Sequence, residues 1–180
     1  KIEDCKNCPL WSTRTKFVFG DGNENADIMF IGEAPGAEED RTGIPFVGRA
    51  GQLLNKLLAR INLKREDVFI TNVVKCRPPN NRDPQPEELA ACQAYLNRQI
   101  ELVNPKVIVT LGRFSMYRYF PGASITKIHG QPKQIGKRMV VPMFHPAAAL
   151  HQPRWRPEIT ADFERLPEFV AEIAALQTPE

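Results

Sequence analysis

A chain of 180 residues with 42% apolar and 25% charged residues is long enough for one globular domain with a full hydrophobic core. No apolar run approaches the roughly 18 residues that a membrane span requires, and the charged N-terminal stretch lacks the apolar segment of a signal peptide, so we expect an intracellular protein. The formal charge of +3 is compatible with nucleic-acid binding but too small to argue for it alone.

Short apolar runs rich in β-forming residues alternate with helical patterns along the chain. The runs at 27–32, 68–74, 107–111 and 138–143 predict four strands. Their alternation with helices predicts an α/β fold: one domain over residues 1–180, with three α/β/α layers around a central four-stranded parallel sheet. In such sheets, ligands bind beyond the carboxyl ends of the strands.

Four helices are predicted between and after these strands. Apolar residues recur at helical spacing over residues 50–61 and 89–103, and Gly112 opens a third helix that extends to about Phe120. The last helix covers the apolar positions from Ile159 to Leu176, and Pro167 within it predicts a kink.

Four cysteines occur in two spacings, C-x2-C at Cys5 and Cys8 and C-x15-C at Cys76 and Cys92. The first pair lies in a terminal segment without apolar periodicity, which a metal centre would fasten to the domain. No strand precedes Cys5, which disfavours a thioredoxin-like redox pair. Cys92 falls on the apolar side of its helix, where a buried core cysteine is the simpler interpretation. The residues alone leave an iron–sulfur cluster, a zinc ion and no metal open.

The stretch after the first predicted strand has the features of a ligand-binding loop. Its glycines, Gly32 among them, let backbone N–H groups approach a substrate, but their spacing is not the G-x-G-x-x-G of a dinucleotide site. Glu33 and Glu39 bring carboxylates. Phe46 offers a ring that either stacks on a ligand or anchors the loop to the core.

Two further polar side chains are expected at the same edge of the sheet. Asn72 lies near the carboxyl end of the second strand, where an amide is costly to bury unpaired and is suited to reading the edge of a base. His145 follows the fourth strand. A loop acid, a strand amide and a histidine at the ends of neighbouring strands form a pattern typical of a functional site.

Five separated motifs and the four cysteines carry a resemblance to a known family. The motifs are GEAPGAEED, TGIPFVGRAGQLL, ITNVVKCRPPNNRDP, LGRF and MFHPAAALHQP. With them, the chain resembles the family 4 uracil-DNA glycosylases from Cys5 through the closing helix. The resemblance implies a uracil-DNA glycosylase-like fold and a DNA repair reaction, hydrolysis of the N-glycosidic bond between uracil and deoxyribose to leave an abasic site.

The resemblance also implies a cofactor and a substrate. A [4Fe–4S] cluster of structural rather than redox function would be ligated by Cys5, Cys8, Cys76 and Cys92. The substrate would be uracil-containing DNA, single- or double-stranded. The enzyme would be a monomer of the prokaryotic cytosol without a membrane partner.

Residues that recognise the base fall on matching positions of this chain. Once the target nucleotide is flipped out of the helix, Phe46 would stack on the uracil ring. Asn72 would contact the polar edge that distinguishes uracil from cytosine, and Glu39 would close the space that thymine's methyl group needs.

Catalysis would depend on donors placed where charge develops. His145, in its neutral form, and backbone N–H groups around Gly32 and Ala34 would stabilise the negative charge on the leaving base. The best-known relatives carry an aspartate one residue after the position of Glu33, where this chain has Ala34. Either Glu33 orients the attacking water, or the enzyme relies mainly on stabilising the separated charges.

The DNA contacts are predicted in the last loop, where this chain departs from its relatives a second time. They insert a bulky apolar side chain at the position of Ala149, so Leu150 is the predicted wedge here, unless it packs against the closing helix. Arg154, beside Trp155, would contact a phosphate, unless it lies in an ordinary solvated loop.

A loop histidine that traps the sugar covalently in some related glycosylases has no counterpart after Cys76, and His129 lies elsewhere, so we expect turnover. The alternative function is a catalytically weak uracil-DNA or nucleic-acid binding module of the same fold. A polymerase-associated subunit and a zinc-bound hydrolase of a small substrate are further alternatives.

Overall fold

The computed structural model describes residues 2–178, which form one sheet of six strands and eight α-helices. The strands are β1 (Asp21–Gly22), β2 (Ile28–Gly32), β3 (Phe69–Asn72), β4 (Val107–Leu111), β5 (Lys133–Ile135) and β6 (Arg138–Met143). The helices are α1 (Ala37–Thr42), α2 (Arg49–Arg60), α3 (Pro86–Val103), α4 (Arg113–Tyr117), α5 (Ile125–Ile128), α6 (Pro146–His151), α7 (Arg156–Glu164) and α8 (Leu166–Gln177). None of the helices in this range is long and apolar enough to cross a membrane.

The sheet has the order β1-β3-β2-β4-β6-β5. Its four central strands, β3, β2, β4 and β6, are parallel, which confirms the predicted parallel sheet. The two outer strands pair antiparallel to it. Both are short and mostly exposed, so they carry no apolar run from which the sequence could predict them.

The two faces of the sheet are covered by separate hydrophobic clusters, as an α/β fold with three layers requires. Successive residues of β2 point to opposite faces, so Ile28 and Phe30 join the cluster formed with α2, α7 and α8. Met29 and Ile31 join the second cluster, which includes the apolar side of α3. All five residues of β2 are buried, as expected for a strand covered on both sides.

The elements differ from the sequence expectation at two boundaries. The strand predicted over 68–74 is assigned only as far as Asn72, although the N–H groups of Val73 and Val74 still donate to the carbonyls of Gly32 and Glu33. The predicted closing helix breaks at Arg165 instead of kinking, because proline fits the first turn of a new helix better than a helix interior.

The strand order places a crevice beside the end of β2. From β2 the chain passes to β3 on one side of it and then to β4 on the other side. Connections that leave a strand end in opposite directions leave room between them, and open α/β sheets bind ligands there.

Candidate active site

A cavity of about 760 Å³ opens at the carboxyl ends of the four parallel strands. Each of these strands contributes a side chain from its last position or from the segment that follows. They are Glu33 after β2, Asn72 at the end of β3, Arg113 after β4 and His145 after β6. The predicted convergence of an acid, an amide and an imidazole at one sheet edge is therefore present.

Phe46 lies in the wall of this cavity and at the same time in the hydrophobic core. It is 6% exposed, and its ring stacks on that of His145, with 5.3 Å between the ring centroids and 26° between the planes. Its backbone has φ of +53°, an unfavourable conformation for a residue with a Cβ. The core anchor therefore describes the position of this ring, and stacking on a ligand in the cavity stays a prediction.

Gly32 allows Phe46 and Asn72 to approach the end of β2. A Cβ at Gly32 would lie 2.5 Å from Asn72 Oδ1 and 2.5 Å from Phe46 Cζ, closer than real Cβ atoms come. The position thus requires glycine because of close approach rather than because of its φ.

Asn72 is a buried amide with spare hydrogen-bonding capacity. It is 2% exposed, and its Oδ1 has no hydrogen-bond partner among the described residues. An unpaired buried polar atom costs free energy, so such an atom at a cavity wall indicates a position where a ligand supplies the missing partner.

His145 is held in one tautomer. Its Nδ1 accepts the backbone N–H of Ala147 at 3.1 Å at the start of α6, so the ring proton resides on Nε2. Burial lowers the pKa of His145 to about 4, against the opposing effect of the Glu39 charge. The imidazole is therefore neutral at pH 7 and carries an Nε2–H that can donate, whereas its role toward the leaving base stays a prediction.

Glu33 shares the cavity with an ion pair that the sequence interpretation did not include. Asp83 and Arg113 form this pair, and both line the cavity. Burial raises the pKa of the Glu33 carboxyl, Asp83 raises it further, and Arg113 lowers it. Arg113 was detectable in the sequence as the residue that follows Gly112 after a strand, whereas Asp83 stands in a loop without periodicity.

Glu39 lines the cavity while both of its carboxylate oxygens bind the backbone. Oε1 accepts the N–H of Gly36 at 2.9 Å, and Oε2 accepts those of Val47 and Gly48 at 3.0 and 2.8 Å. These bonds satisfy N–H groups at the starts of α1 and α2. Glu39 thereby ties the loop that carries Phe46 to the loop after β2.

The remaining predicted residues of the site lie around the cavity. Ala34 lines it directly. Leu150 is half-buried and packs against the larger core cluster, whereas its neighbour His151 is exposed and lines the cavity. Arg154 is exposed with its guanidinium 5.1 Å from the centre of the Trp155 ring, outside the cavity lining. No feature of the sequence indicated that His151 rather than Leu150 would line the cavity.

The four cysteines lie near enough to one another that the charges of neighbouring cysteines affect the pKa values of Cys8, Cys76 and Cys92. All are free thiols, and Cys76 and Cys92 are buried. The Nη1 of Arg14 donates both to Cys5 O at 2.7 Å and to Cys76 Sγ at 3.5 Å. Arg14 thereby connects the N-terminal C-x2-C segment to Cys76.

Burial and mutual repulsion disfavour thiolates at this place. Burial raises the pKa of Cys76 to about 11, with Arg14 opposing and the charges of Cys92 and Cys8 adding to the increase. Burial likewise raises the pKa values of Cys8 and Cys92. Among residues 2–178, no three Cys, His or acidic side chains are arranged to hold a single metal ion.

Comparison with known proteins relates the chain to one family. The model of the "Uracil DNA glycosylase superfamily" matches residues 19–171. The chain is 49% identical to the "Type-4 uracil-DNA glycosylase" of Archaeoglobus fulgidus over 93% of this chain and 89% of that protein. It is also 49% identical to the protein of the same name from Sulfurisphaera tokodaii, over 93% and 81% of the two chains. The corresponding protein of Thermotoga maritima is 48% identical over 94% and 91%.

Proposed function

The chain belongs to the uracil DNA glycosylase superfamily, and from this premise we propose that it is a DNA repair enzyme that removes uracil from DNA. It hydrolyses the N-glycosidic bond between uracil and deoxyribose and leaves an abasic site. One observation carries the proposal: Phe46, Asn72 and His145 line a single cavity at the ends of the parallel strands.

Recognition begins with extrusion of the target nucleotide from the stack into the cavity. Phe46 then stacks on the uracil ring, and the unpaired amide of Asn72 gains a partner on the polar edge that differs between uracil and cytosine. Glu39 closes the space next to the loop after β2 that the methyl group of thymine would need. Its position is supported by the three backbone N–H groups that hold its carboxylate.

Bond cleavage generates charge on both fragments. As the C1′–N1 bond breaks, the sugar gains oxocarbenium character and the base gains negative charge on a carbonyl oxygen. The Nε2–H of neutral His145 and the backbone N–H groups of Gly32 and Ala34 donate to that oxygen. Because these donors are fixed before the reaction, they cost no reorganisation when the charge appears.

Water attacks C1′ and completes the reaction. We assign its orientation to Glu33, whose carboxylate lies in the same cavity and accepts the water's proton as the new C–O bond forms. The raised pKa of Glu33 brings its proton affinity closer to that needed for a general base near neutral pH.

The DNA is held by the last loop in this proposal. Leu150 fills the gap left by the flipped base, which requires its side chain to leave the core surface on which it now packs. Arg154 contacts a backbone phosphate from its exposed position beside Trp155. The enzyme acts as a monomer, with residues 1–180 as one domain, on single- or double-stranded DNA in a prokaryotic cytosol.

A [4Fe–4S] cluster fits the four cysteines. This fit is supported by the raised pKa values of Cys8, Cys76 and Cys92, because a bound positive centre such as iron would stabilise buried thiolates. Such a cluster would be held by four cysteine thiolates, and Cys5, Cys8, Cys76 and Cys92 are all free to serve as its ligands. The bound cluster supplies cross-linking rather than electron transfer, and Cys5 and Cys8 thereby fasten the N-terminal segment to Cys76 and Cys92.

A base-release assay tests this function. The purified protein is incubated with a labelled oligonucleotide that contains one uracil and is then treated with alkali, which cuts at abasic sites. We expect scission at uracil, strongly reduced in Asn72→Ala and His145→Ala and unchanged in Asn97→Ala, whose side chain lies on α3 away from the cavity. Scission that survives both cavity substitutions would contradict the proposal. Binding of uracil-containing DNA without scission by the unmodified chain would favour the binding module instead.

A further inference from the structure

The backbone around Phe46 is held in a conformation that it would not adopt alone. Phe46 is one of the few residues other than glycine with a positive φ, and the others among the described residues are all asparagines. Asparagine tolerates this region, whereas a bulky aromatic residue does not. Such a conformation persists only when its surroundings impose it.

Arg65 binds this backbone from one side. Its Nη1 donates to the carbonyl of Phe46 at 2.9 Å, and its Nη2 donates to the carbonyl of Pro45 at 2.6 Å. Nη1 also lies 3.3 Å from Asn55 Oδ1 on α2. Arg65 begins the short 3₁₀ turn before β3, and its side chain is 22% exposed, so its bonds to the two carbonyls are partly shielded from water.

Glu39 binds the same backbone from the other side. Its Oε2 accepts the N–H groups of Val47 and Gly48, the two residues that follow Phe46. Two successive carbonyls are therefore bound by a guanidinium and the next two N–H groups by a carboxylate. This clamp, formed by Arg65 and Glu39, fixes both peptide planes that flank the Cα of Phe46.

The first turn of α2 closes the remaining space. A Cβ at Gly51 would overlap the carbonyl oxygen of Phe46, so the helix backbone lies directly against it. The carbonyl cannot rotate toward α2, and Arg65 holds it on the side that remains. The ring of Phe46 is thereby directed toward Gly32 and His145.

We propose that Arg65 is a positioning residue of the uracil pocket, which presupposes the proposed function. Arg65 does not line the cavity and acts through Phe46, whose carbonyl it binds and whose ring lines the cavity. Its planar fork suits two neighbouring carbonyls, which a lysine ammonium cannot bind in the same geometry.

Arg65 also has a contact away from the Phe46 loop, which could make Arg65 important for stability alone. Its Nη2 lies 3.9 Å from Asp21 Oδ2 on the edge strand β1. Loss of this contact would lower the free energy of unfolding without affecting the binding of uracil specifically. The test must therefore separate an effect through Phe46 from an effect on the whole fold.

A double-mutant cycle makes this separation. The inhibition constant of free uracil and kcat/KM on a uracil-containing oligonucleotide are measured for Arg65→Gln, Phe46→Ala and the double variant. We expect Arg65→Gln to weaken uracil inhibition about tenfold in the unmodified background and less than about twofold in the Phe46→Ala background. Arg65→Lys should lose most of the same affinity while retaining the charge.

Arg138→Gln is the matched control, because Arg138 is also half-buried and donates to a carbonyl, that of Ile100, and to Asn104 Oδ1. It should leave uracil inhibition unchanged, and melting temperatures are compared for every variant. Equal losses from Arg65→Gln in both backgrounds, or a lowered melting temperature with unaltered uracil inhibition, would overturn the proposal. Absence of both uracil release and uracil inhibition in the unmodified protein would instead refute the proposed function.

Discussion

Among single residues, His145 shows how local bonding determines chemistry. Its Nδ1 is occupied by the Ala147 N–H, and burial lowers its pKa to about 4. Both effects keep the proton on Nε2 and the ring neutral across the physiological range. The place of His145 at the end of a strand was predictable from the sequence, whereas the bond that selects its tautomer was not.

His145→Ala should lower the single-turnover rate of uracil release about 10²- to 10³-fold, because it removes a donor to the developing charge. The factor should be the same near pH 6 and near pH 8, since a group with a pKa of about 4 does not change its charge between them. A loss that differs strongly between the two pH values would mean that protonated His145 is the active form.

The protonation of Glu33 should respond to its charged neighbours in opposite directions. Asp83→Asn removes a negative charge that raises the pKa of Glu33, so the acid limb of the pH–rate profile should move to lower pH. Arg113→Gln removes the opposing positive charge and should move the limb to higher pH.

Glu101→Gln is the control for these two substitutions. It breaks an exposed ion pair with Arg98 on α3 and should not shift the acid limb of the pH–rate profile. The cavity also contains His145, which is neutral, and Glu39, whose oxygens bind backbone N–H groups. Identical profiles for Asp83→Asn and Arg113→Gln would remove Glu33 from the role of water-orienting base.

At the scale of secondary structure, the ends of the parallel strands position the side chains of the cavity. They were the part of the site that the sequence predicted best. The strands at Val107–Leu111 and Arg138–Met143 lie where the apolar runs place them, because a buried parallel strand is apolar throughout. The edge strands and the break at Arg165 were not predicted, since exposed pairing and a new helix start leave weak patterns. The bonds from Arg65 to the Phe46 loop join segments about twenty residues apart and have no sequence signature.

Gly32→Ala should distort the end of β2. The new Cβ would meet Asn72 Oδ1 and Phe46 Cζ, so both side chains must move into the cavity. We expect a loss of about 1–3 kcal/mol in the free energy of unfolding and, in addition, loss of uracil inhibition. Denaturant titration and inhibition assays measure the two effects.

Gly122→Ala is the control for Gly32→Ala, because it should affect stability without affecting uracil binding. No atom lies within 4 Å of its Cβ position, but its φ of +73° makes any side chain unfavourable. It should lower stability while leaving uracil inhibition intact. If Gly32→Ala behaved in the same way, the end of β2 would not form part of the binding site.

At the scale of the whole molecule, the fold brings together two groups of side chains from distant parts of the chain, those that line the cavity and the four cysteines. The loops after β2, β3, β4 and β6 form the cavity, and the loop after β3 continues from Asn72 into Cys76. The convergence of Glu33, Asn72 and His145 was predictable, because residues that follow parallel strands meet at one sheet edge. The set of four cysteines was implied only by the family resemblance. The sequence could not predict the distances among the four thiols. These distances depend on where the N-terminal segment lies, and Arg14 holds that segment by hydrogen bonds to Glu3 O, Cys5 O and Cys76 Sγ.

Cys92→Ala should remove the visible absorbance of the cluster and lower the melting temperature, because the N-terminal segment loses its cross-link to α3. We expect iron and acid-labile sulfide in nearly equal amounts in the unmodified protein, and both should fall together in the variant. Ser12→Ala, in the same segment but bonded only to Pro9 O in the described contacts, should change neither. Zinc in place of iron in the unmodified protein would exclude the cluster.

The most direct measurement is a crystal structure of the protein with uracil bound. We predict that the ring stacks on Phe46, that its polar edge bonds to the amide of Asn72, and that one carbonyl oxygen accepts the Nε2–H of His145. Uracil bound elsewhere, or bound in the cavity without touching these three side chains, would contradict the account.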